Sequence, residues 1–261
     1  MICACAFAMR DVARILNAMT RRRFIADTWT ETTATLSGDQ AAHLAKVLRA
    51  QVGQIFDVVA NGFLHRAEIT SVSDGEVVFT LHEELEADAA LPVHVLLAVF
   101  KFDHFEWGVE KLTELGAARI TPVLARRTEK HLSLAAAKRV ERWRRITLES
   151  AKQSRRTDVP SMDDPVTLKA ALAMVDAETK LLLAETEQEN SLVAVLSESA
   201  SQRVGGSAGS VALAIGPEGG WTAEEMQAFS DAGWKHVTLG PRILRAETAA
   251  IAALSVCGAM L

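Results

Sequence analysis

The chain repeats one short phrase, as AIGPEGGWTAEE around Gly216-Pro217 and as TLGPRILRAET around Gly240-Pro241. Each copy is an apolar run, a Gly-Pro step and a loop that leads into a helical pattern. The copies stand 24 residues apart, which leaves room for one helix and one short strand. Two strand–loop–helix units this close predict parallel strands with their loops at one edge of a sheet. In open α/β sheets small ligands bind at that edge, outside the carboxyl ends of the strands. The repeat therefore constrains both the fold class and the place of a site.

The rest of the chain extends the pattern. From about residue 91, buried strands alternate with helices: PVHVLLAVF, then FEWGVEKLTELG closed by Gly116, then ARITPVLA, then a long basic helix in LAAAKRVERWRRITLESAKQSRR. TKLLLAE, VALAI and HVTL read as three more strands, and Gly205 to Ser210 as a surface loop. Such alternation predicts an α/β unit with a mainly parallel sheet and helices on both faces. Before the acidic run Glu83 to Asp88 the signals differ. Apolar, β-branched runs flank Asn61-Gly62, a strong hairpin signal, and Ser73-Asp74-Gly75 turns into a further strand. With one helix in GDQAAHLAKVLRA, for which Asp39 is the expected N-cap, this part reads as a small β-barrel over residues 21–90. Residues 1–20 read as an extension, with Met9 and Met19 as alternative starts; their apolar stretch is too short for a secretion signal.

A net charge of -5 does not by itself point to a polyanion, but the distribution does. Arg119 to Arg156 holds twelve lysines and arginines against Glu129, Glu141 and Glu149. Such a concentration marks either a surface facing a polyanion or a solvated helix face. Cys3, Cys5 and Cys257 form neither a paired framework nor a C-x-x-C knuckle, which suits a reducing cytosol. The histidines lack metal-ligand spacing, so no metal is expected. No apolar run reaches the roughly 18 residues of a membrane span.

GPEGGW is neither G-x-G-x-x-G nor a Walker A loop, which disfavours a nucleotide-dependent dehydrogenase. Gly216, Gly219 and Gly220 allow a ligand close to the backbone, and Thr222 with Glu225 forms a capping box before the next helix. A tight structural turn and a ligand loop fit this segment about equally. GPRILRAET sets Arg242 and Arg245 beside Glu247 and Thr248, just before a very apolar helix. That pattern suits a charged substrate at the mouth of the sheet or a structural ion pair. His43, near Lys46 and Arg49 on a short helix, suits phosphate binding better than catalysis.

Arg22-Arg23-Phe24, SGDQAAHLAKVLR, Gly53, ELG at Glu114 to Gly116, QSRR at Gln153 to Arg156, IGPEGGW and LGPRILRAETA together resemble the RsmE family. These are ribosomal RNA uridine-N3 methyltransferases of the SPOUT superfamily, and the resemblance runs from about Arg21 onward. The chain departs from the pattern in having no tyrosine and in KFDHFEW, where a more polar or lysine-rich segment is expected. The resemblance implies a PUA-like RNA-binding barrel over 21–90 and a SPOUT methyltransferase domain with a C-terminal trefoil knot over 91–261. It also implies a cytoplasmic homodimer that uses S-adenosyl-L-methionine and no metal, and that acts on ribosomal RNA within the small subunit.

By the same resemblance, the cofactor would be held around Ile215, Gly216, Pro217, Gly219 and Gly220 and around Leu239, Gly240, Ile243 and Leu244. Arg245 would stabilise charge on the uracil oxygens, with Glu247 as base or as partner of that arginine. RNA would cross Arg22, Arg23, His43 and Arg49 of the barrel and Gln153, Arg155 and Arg156 of the basic helix. Two rival readings remain. One is a SPOUT relative that methylates a ribose 2′-hydroxyl or another base of rRNA or tRNA; the other is a non-catalytic RNA-binding module with a degenerate pocket.

Overall fold

The structure is a computed structural model that describes residues 23–73, 75–87, 89–201 and 209–261. The expected extension at 1–20, Arg22, the turn residue Asp74 and most of the Gly205 to Ser210 loop lie outside the described residues. Two compact units meet in sequence between Asp88 and Ala89.

The first unit contains β1 (Arg23–Ile25), β2 (Thr28–Trp29), β3 (Thr33–Ser37), β4 (Ile55–Ala60), β5 (Phe63–Val72) and β6 (Glu76–Leu85). They form one sheet in the order β1-β4-β5-β6-β3-β2, antiparallel except for β1 beside β4. The expected hairpin is present. Ala60 pairs with Phe63, and Asn61 (φ 53) and Gly62 (φ 81) both take the left-handed conformation of a type I′ turn. Helix α1 (Gly38–Ala42) runs into a π-helical turn at His43–Val47, and its N-cap is Ser37, not Asp39. Ser37 makes no capping bond because its N–H and hydroxyl both donate to Asp27, at 2.7 and 3.1 Å. Leu36, Leu44, Ile69 and Phe79 fill the core of this unit.

In the second unit the chain forms β7 (Leu91–Ala98), α2 (Phe102–Glu114), β8 (Ala117–Leu124), α3 (Lys130–Ala136), α4 (Val140–Gln153), β9 (Ser161–Met162), β10 (Val166–Thr167) and α5 (Leu168–Met174). It continues with β11 (Thr179–Leu183), α6 (Leu192–Ser201), β12 (Val211–Ile215), α7 (Ala223–Asp231), β13 (Lys235–Val237) and α8 (Ala246–Met260). The sheet order is β10-β8-β7-β12-β11-β13, with β9 also on β8, and every pairing is parallel. Alternate residues serve two cores. Val93, Val95 and Leu97 join Phe105, Trp143 and Leu254 on one face. Leu96 and Ala98 join Ala214, Phe229 and Trp234 on the other. The sheet is thus covered on both sides, as strands apolar on both faces require.

The predicted long basic helix is two helices joined by a 3-10 turn at Ala137–Arg139. At that junction Arg139 donates to Glu106 and lies over the Phe102 ring, 4.7 Å from its centroid. The two strands of the repeated phrase, β12 and β13, are parallel but not adjacent; β11 lies between them.

Candidate functional site

Three parallel strands, β11, β12 and β13, open at their carboxyl ends into a cavity of about 800 Å³. One wall is Ile215, Gly216, Pro217, Gly219 and Gly220; a second is Leu239, Gly240, Ile243, Leu244 and Arg245. The two copies of the repeat therefore face one space. A third wall, Leu183 to Gln188 after β11, had no motif to mark it, since no Gly-Pro step follows TKLLLAE. Placing that strand in the same parallel sheet was the signal that could have found it. Arg127, Trp221 and Met226 also line the space, and Arg127 arrives from the loop after β8, which the repeat does not reach.

Local chemistry explains why these loops hold their shape. Gly220 (φ 68) and Gly240 (φ 114) occupy the left-handed region, where a side chain would be strained. Gly216 is closed off by Trp221: a Cβ there would stand 3.1 Å from the indole nitrogen. That nitrogen is buried against Gly216 and has no hydrogen-bond partner among the described residues. The expected capping box is present, with Glu225 N–H donating to Thr222 and Thr222 N–H donating back to Glu225 at 2.9 Å. Glu225 is buried, and its second oxygen accepts the Arg126 N–H at 2.7 Å. One carboxylate thus ties the β8–α3 loop to the glycine-rich loop.

The N-terminus of α8 also faces the cavity, through Arg245, Ala246 and Ala249. Arg245 is the N-cap and makes no side-chain cap bond, so the first N–H groups of a 15-residue helix and their partial positive charge are left toward this end. On the β11 side, Glu187 accepts backbone N–H groups of Asn190 and Glu189 at 3.0 and 2.8 Å, which hold its carboxylate below the usual range. The residues present suit a ligand with polar and charged groups along an apolar body.

Two expected site residues stand elsewhere. Glu247 is absent from the cavity wall; it is buried against α2, with Oε1 3.0 Å from His104 Nδ1. Its Cβ lies 3.8 Å from the place of a Cβ at Gly108, an ordinary packing distance, so the glutamate stem packs directly on α2. Arg156 has a side chain only 8% exposed and donates to the carbonyls of Thr113 and Ala117 and to Asp158. A guanidinium so engaged braces α2 and β8 and has little left for a phosphate. Gln153 and Arg155 are exposed at the end of α4, Arg155 with φ 60. In the first unit His43 and Arg49 are exposed, Arg49 with φ 51, and Arg23 is half-buried on β1.

The basic segment is also less free than its count suggests. Arg139 and Arg142 both bind Glu106, Arg144 binds Glu141 and Asp164, Arg119 binds Asp163, and Lys152 binds Glu149. Arg126, Arg127, Lys130, Lys138 and Arg145 are exposed and form no ion pair among the described residues. The same residues show no group of acids, histidines or cysteines able to hold a metal. No helix among them is long and apolar enough to cross a membrane.

Comparison with known proteins gives this geometry a relation. Residues 87–258 match a family described as an RNA methyltransferase domain, and residues 36–81 match an RNA methyltransferase PUA domain. Ribosomal RNA small subunit methyltransferase E of Bacillus subtilis is 34% identical over 85% of this chain and 88% of its own length. The protein of that name from Synechocystis is 34% identical over 88% of this chain and 74% of its own. Among solved structures, ribosomal RNA small subunit methyltransferase E of Neisseria gonorrhoeae, bound to S-adenosyl methionine, superposes with a TM-score of 0.72 at 28% identity. It covers 90% of this chain and 95% of that one. A methyltransferase from Legionella pneumophila with bound SAM gives a TM-score of 0.74 at 29% identity, over 92% and 97% of the two chains. The likeness spans the PUA-like unit and the parallel α/β unit alike, in sequence and in fold, and the chain belongs to the ribosomal RNA small subunit methyltransferase E family of the SPOUT superfamily.

Proposed function

We propose that this chain transfers the methyl group of S-adenosyl-L-methionine to N3 of a uridine in small-subunit ribosomal RNA. The observation that carries the reading is the cavity on which both Gly-Pro loops converge, in a chain whose relatives are named as small-subunit ribosomal RNA methyltransferases and, in two solved cases, hold that cofactor. The backbone of the two Gly-Pro loops, the Arg127 and Arg245 side chains and the α8 N-terminus on one cavity fit a ligand with a charged amino-acid end and a flat, polar base.

When bound, the cofactor supplies an electrophilic methyl carbon on a sulfonium. The N3–C bond forms as the S–C bond breaks, the sulfonium electrons return to sulfur, and the N3 proton passes to a base or to water. The loops at 215–220 and 239–244 would orient the reactants, and such positioning is a large part of the rate in a reaction of this type. Uracil N3 is weakly acidic, so charge forming on O2 and O4 needs a cation. Arg245, exposed on the cavity wall, is the residue we assign to it. Glu247, held by His104, acts on the first turn of α8 and thereby on Arg245, not on the substrate.

RNA would be held by the barrel at residues 21–90 through Arg22, Arg23, His43 and Arg49, and by Gln153 and Arg155 beside the methyltransferase domain at 91–261. A target base within a folded RNA must be unstacked to expose N3. We further infer a homodimer; Trp107, 45% exposed, lies with Leu115 and Ile251 on a groove between α2 and α8 that a second copy would cover. The return of α8 from the edge strand β13 to pack on β7 and β12 is consistent with a knotted C-terminal segment. The substrate places the reaction in the cytoplasm.

Transfer of labelled methyl to small ribosomal subunits from a strain lacking this protein, followed by digestion and mass identification of the nucleoside, tests the reading. The expected product is N3-methyluridine, with Arg245→Ala slowing transfer about a hundredfold while cofactor binding is retained. Label on a ribose or on another base would favour the first rival, and no transfer with no cofactor binding the second.

A further inference from the structure

Arg127 is held more firmly than an exposed arginine in a loop need be. The residue before it donates its N–H to the buried Glu225 at 2.7 Å, and the residue after it, Thr128, donates its hydroxyl to the Val99 carbonyl at 2.7 Å. With both neighbours anchored, the side chain runs to the glycine-rich loop and Nη1 donates to the Gly219 carbonyl. Its stem fills the space that a side chain at Gly219 would need: a Cβ there would stand 3.3 Å from Arg127 Cδ. The guanidinium lines the cavity and forms no ion pair among the described residues. One of its five N–H donors is used by Gly219; Glu224 lies near enough to feel its charge but forms no ion pair with it, so the remaining donors are open to a ligand.

We infer that Arg127 binds the carboxylate of the methyl donor's amino-acid end, an assignment that rests on the reading of the cavity as a cofactor pocket. A guanidinium fixed at one nitrogen presents its remaining donors in a plane, the arrangement that takes a carboxylate through two parallel hydrogen bonds. The ordering that such a contact normally requires has already been done by Glu225, Val99 and Gly219. Arg242 and Arg245 line the same cavity without such tethers, and Ile243 between them is 83% exposed. Arg127 is attached instead to the wall on which the small ligand lies. RNA phosphates have the exposed, unpaired Lys130, Lys138 and Arg145 to meet.

Calorimetry with two ligands separates this role from a purely structural one. S-adenosylhomocysteine carries the amino-acid carboxylate; 5′-methylthioadenosine keeps the nucleoside and thioether and lacks it. Arg127→Gln keeps the stem that packs at Gly219 and loses the charge and the fork. It should weaken S-adenosylhomocysteine roughly tenfold or more and leave 5′-methylthioadenosine within about twofold of the unmodified chain. Arg127→Lys should fall between, because an ammonium keeps the charge without the fork. Equal weakening of both ligands would mean that Arg127 only shapes the loop, and unchanged binding of both would mean that it touches neither; each result overturns the inference while leaving the cavity's function standing. If the unmodified chain binds neither ligand, the reading of the cavity fails, and the inference with it.

Discussion

His94 shows how a single side chain can set the acid limit of this fold. It lies on β7, with Nε2 2.7 Å from the Thr121 hydroxyl; Thr121 in turn donates to Asp163, which Arg119 holds at 2.8 Å. Burial pushes its pKa down from 6.5 to about 4, the Arg119 charge adds to the effect, and Asp163 opposes it. The folded state therefore holds the imidazole neutral while the unfolded chain protonates it from about pH 6.5 downward. Stability should be full above pH 6.5 and decline as the pH falls toward 4, by roughly 3 kcal/mol at most from this group. Denaturant midpoints across that range check the slope, and His94→Gln should flatten it; an unchanged slope in the variant would assign the acid loss to other groups. None of this was legible in the sequence, because His94, Thr121 and Asp163 come from separate elements and share no local pattern. Arg245 was legible, since the repeated phrase itself carried it to the sheet edge.

Among the elements, α7 ties its own stability to the loop before it. Glu225 completes the capping box and also receives the Arg126 N–H, so its removal leaves donors unpaired in two loops at once. Glu225→Ala should lower stability by about 2 kcal/mol. It should also weaken S-adenosylhomocysteine binding by loosening the glycine-rich wall. Chemical denaturation and calorimetry on the same variant would read both effects, and a stability loss with unaltered binding would separate the cap from the pocket. The cap could be foreseen from Thr222 and Glu225, three residues apart, but the bond to Arg126 could not, since it spans ninety-nine positions. Helix α4 gives the opposite lesson. Its arginines looked like one polyanion-facing surface, yet Glu106 on α2 and Asp164 beyond the helix neutralise much of it. Sequence spacing shows the charges on one helix but not the partners that other elements bring to them.

At the level of the whole molecule, exposed cations without an ion pair, if they meet RNA phosphates as proposed, would set how RNA affinity responds to salt. Removing one phosphate-contacting charge should reduce the slope of log affinity against log salt by about 0.7–0.9. Arg145→Ala should show that change in filter-binding titrations, whereas Arg142→Ala should leave the slope nearly intact because Arg142 is already spent on Glu106. Equal slopes for both variants would argue against Arg145 as a contact. The broad architecture was readable from the shift between hairpin spacing and strand–helix alternation. The order of the sheet was not, because hydrophobic runs say that strands are buried and not which ones are neighbours. That order has a further consequence, in time. β7 takes β12 as its partner, so Val93 pairs with Val211 only after a further 118 residues, nearly half the chain, have been made and have folded back. Until then the inner edge of β7 is an open, apolar hydrogen-bonding template, and formation of the central ladder must close a very long loop. Refolding should accordingly be slow and concentration-sensitive, and a partly synthesised chain should need protection from association at that edge.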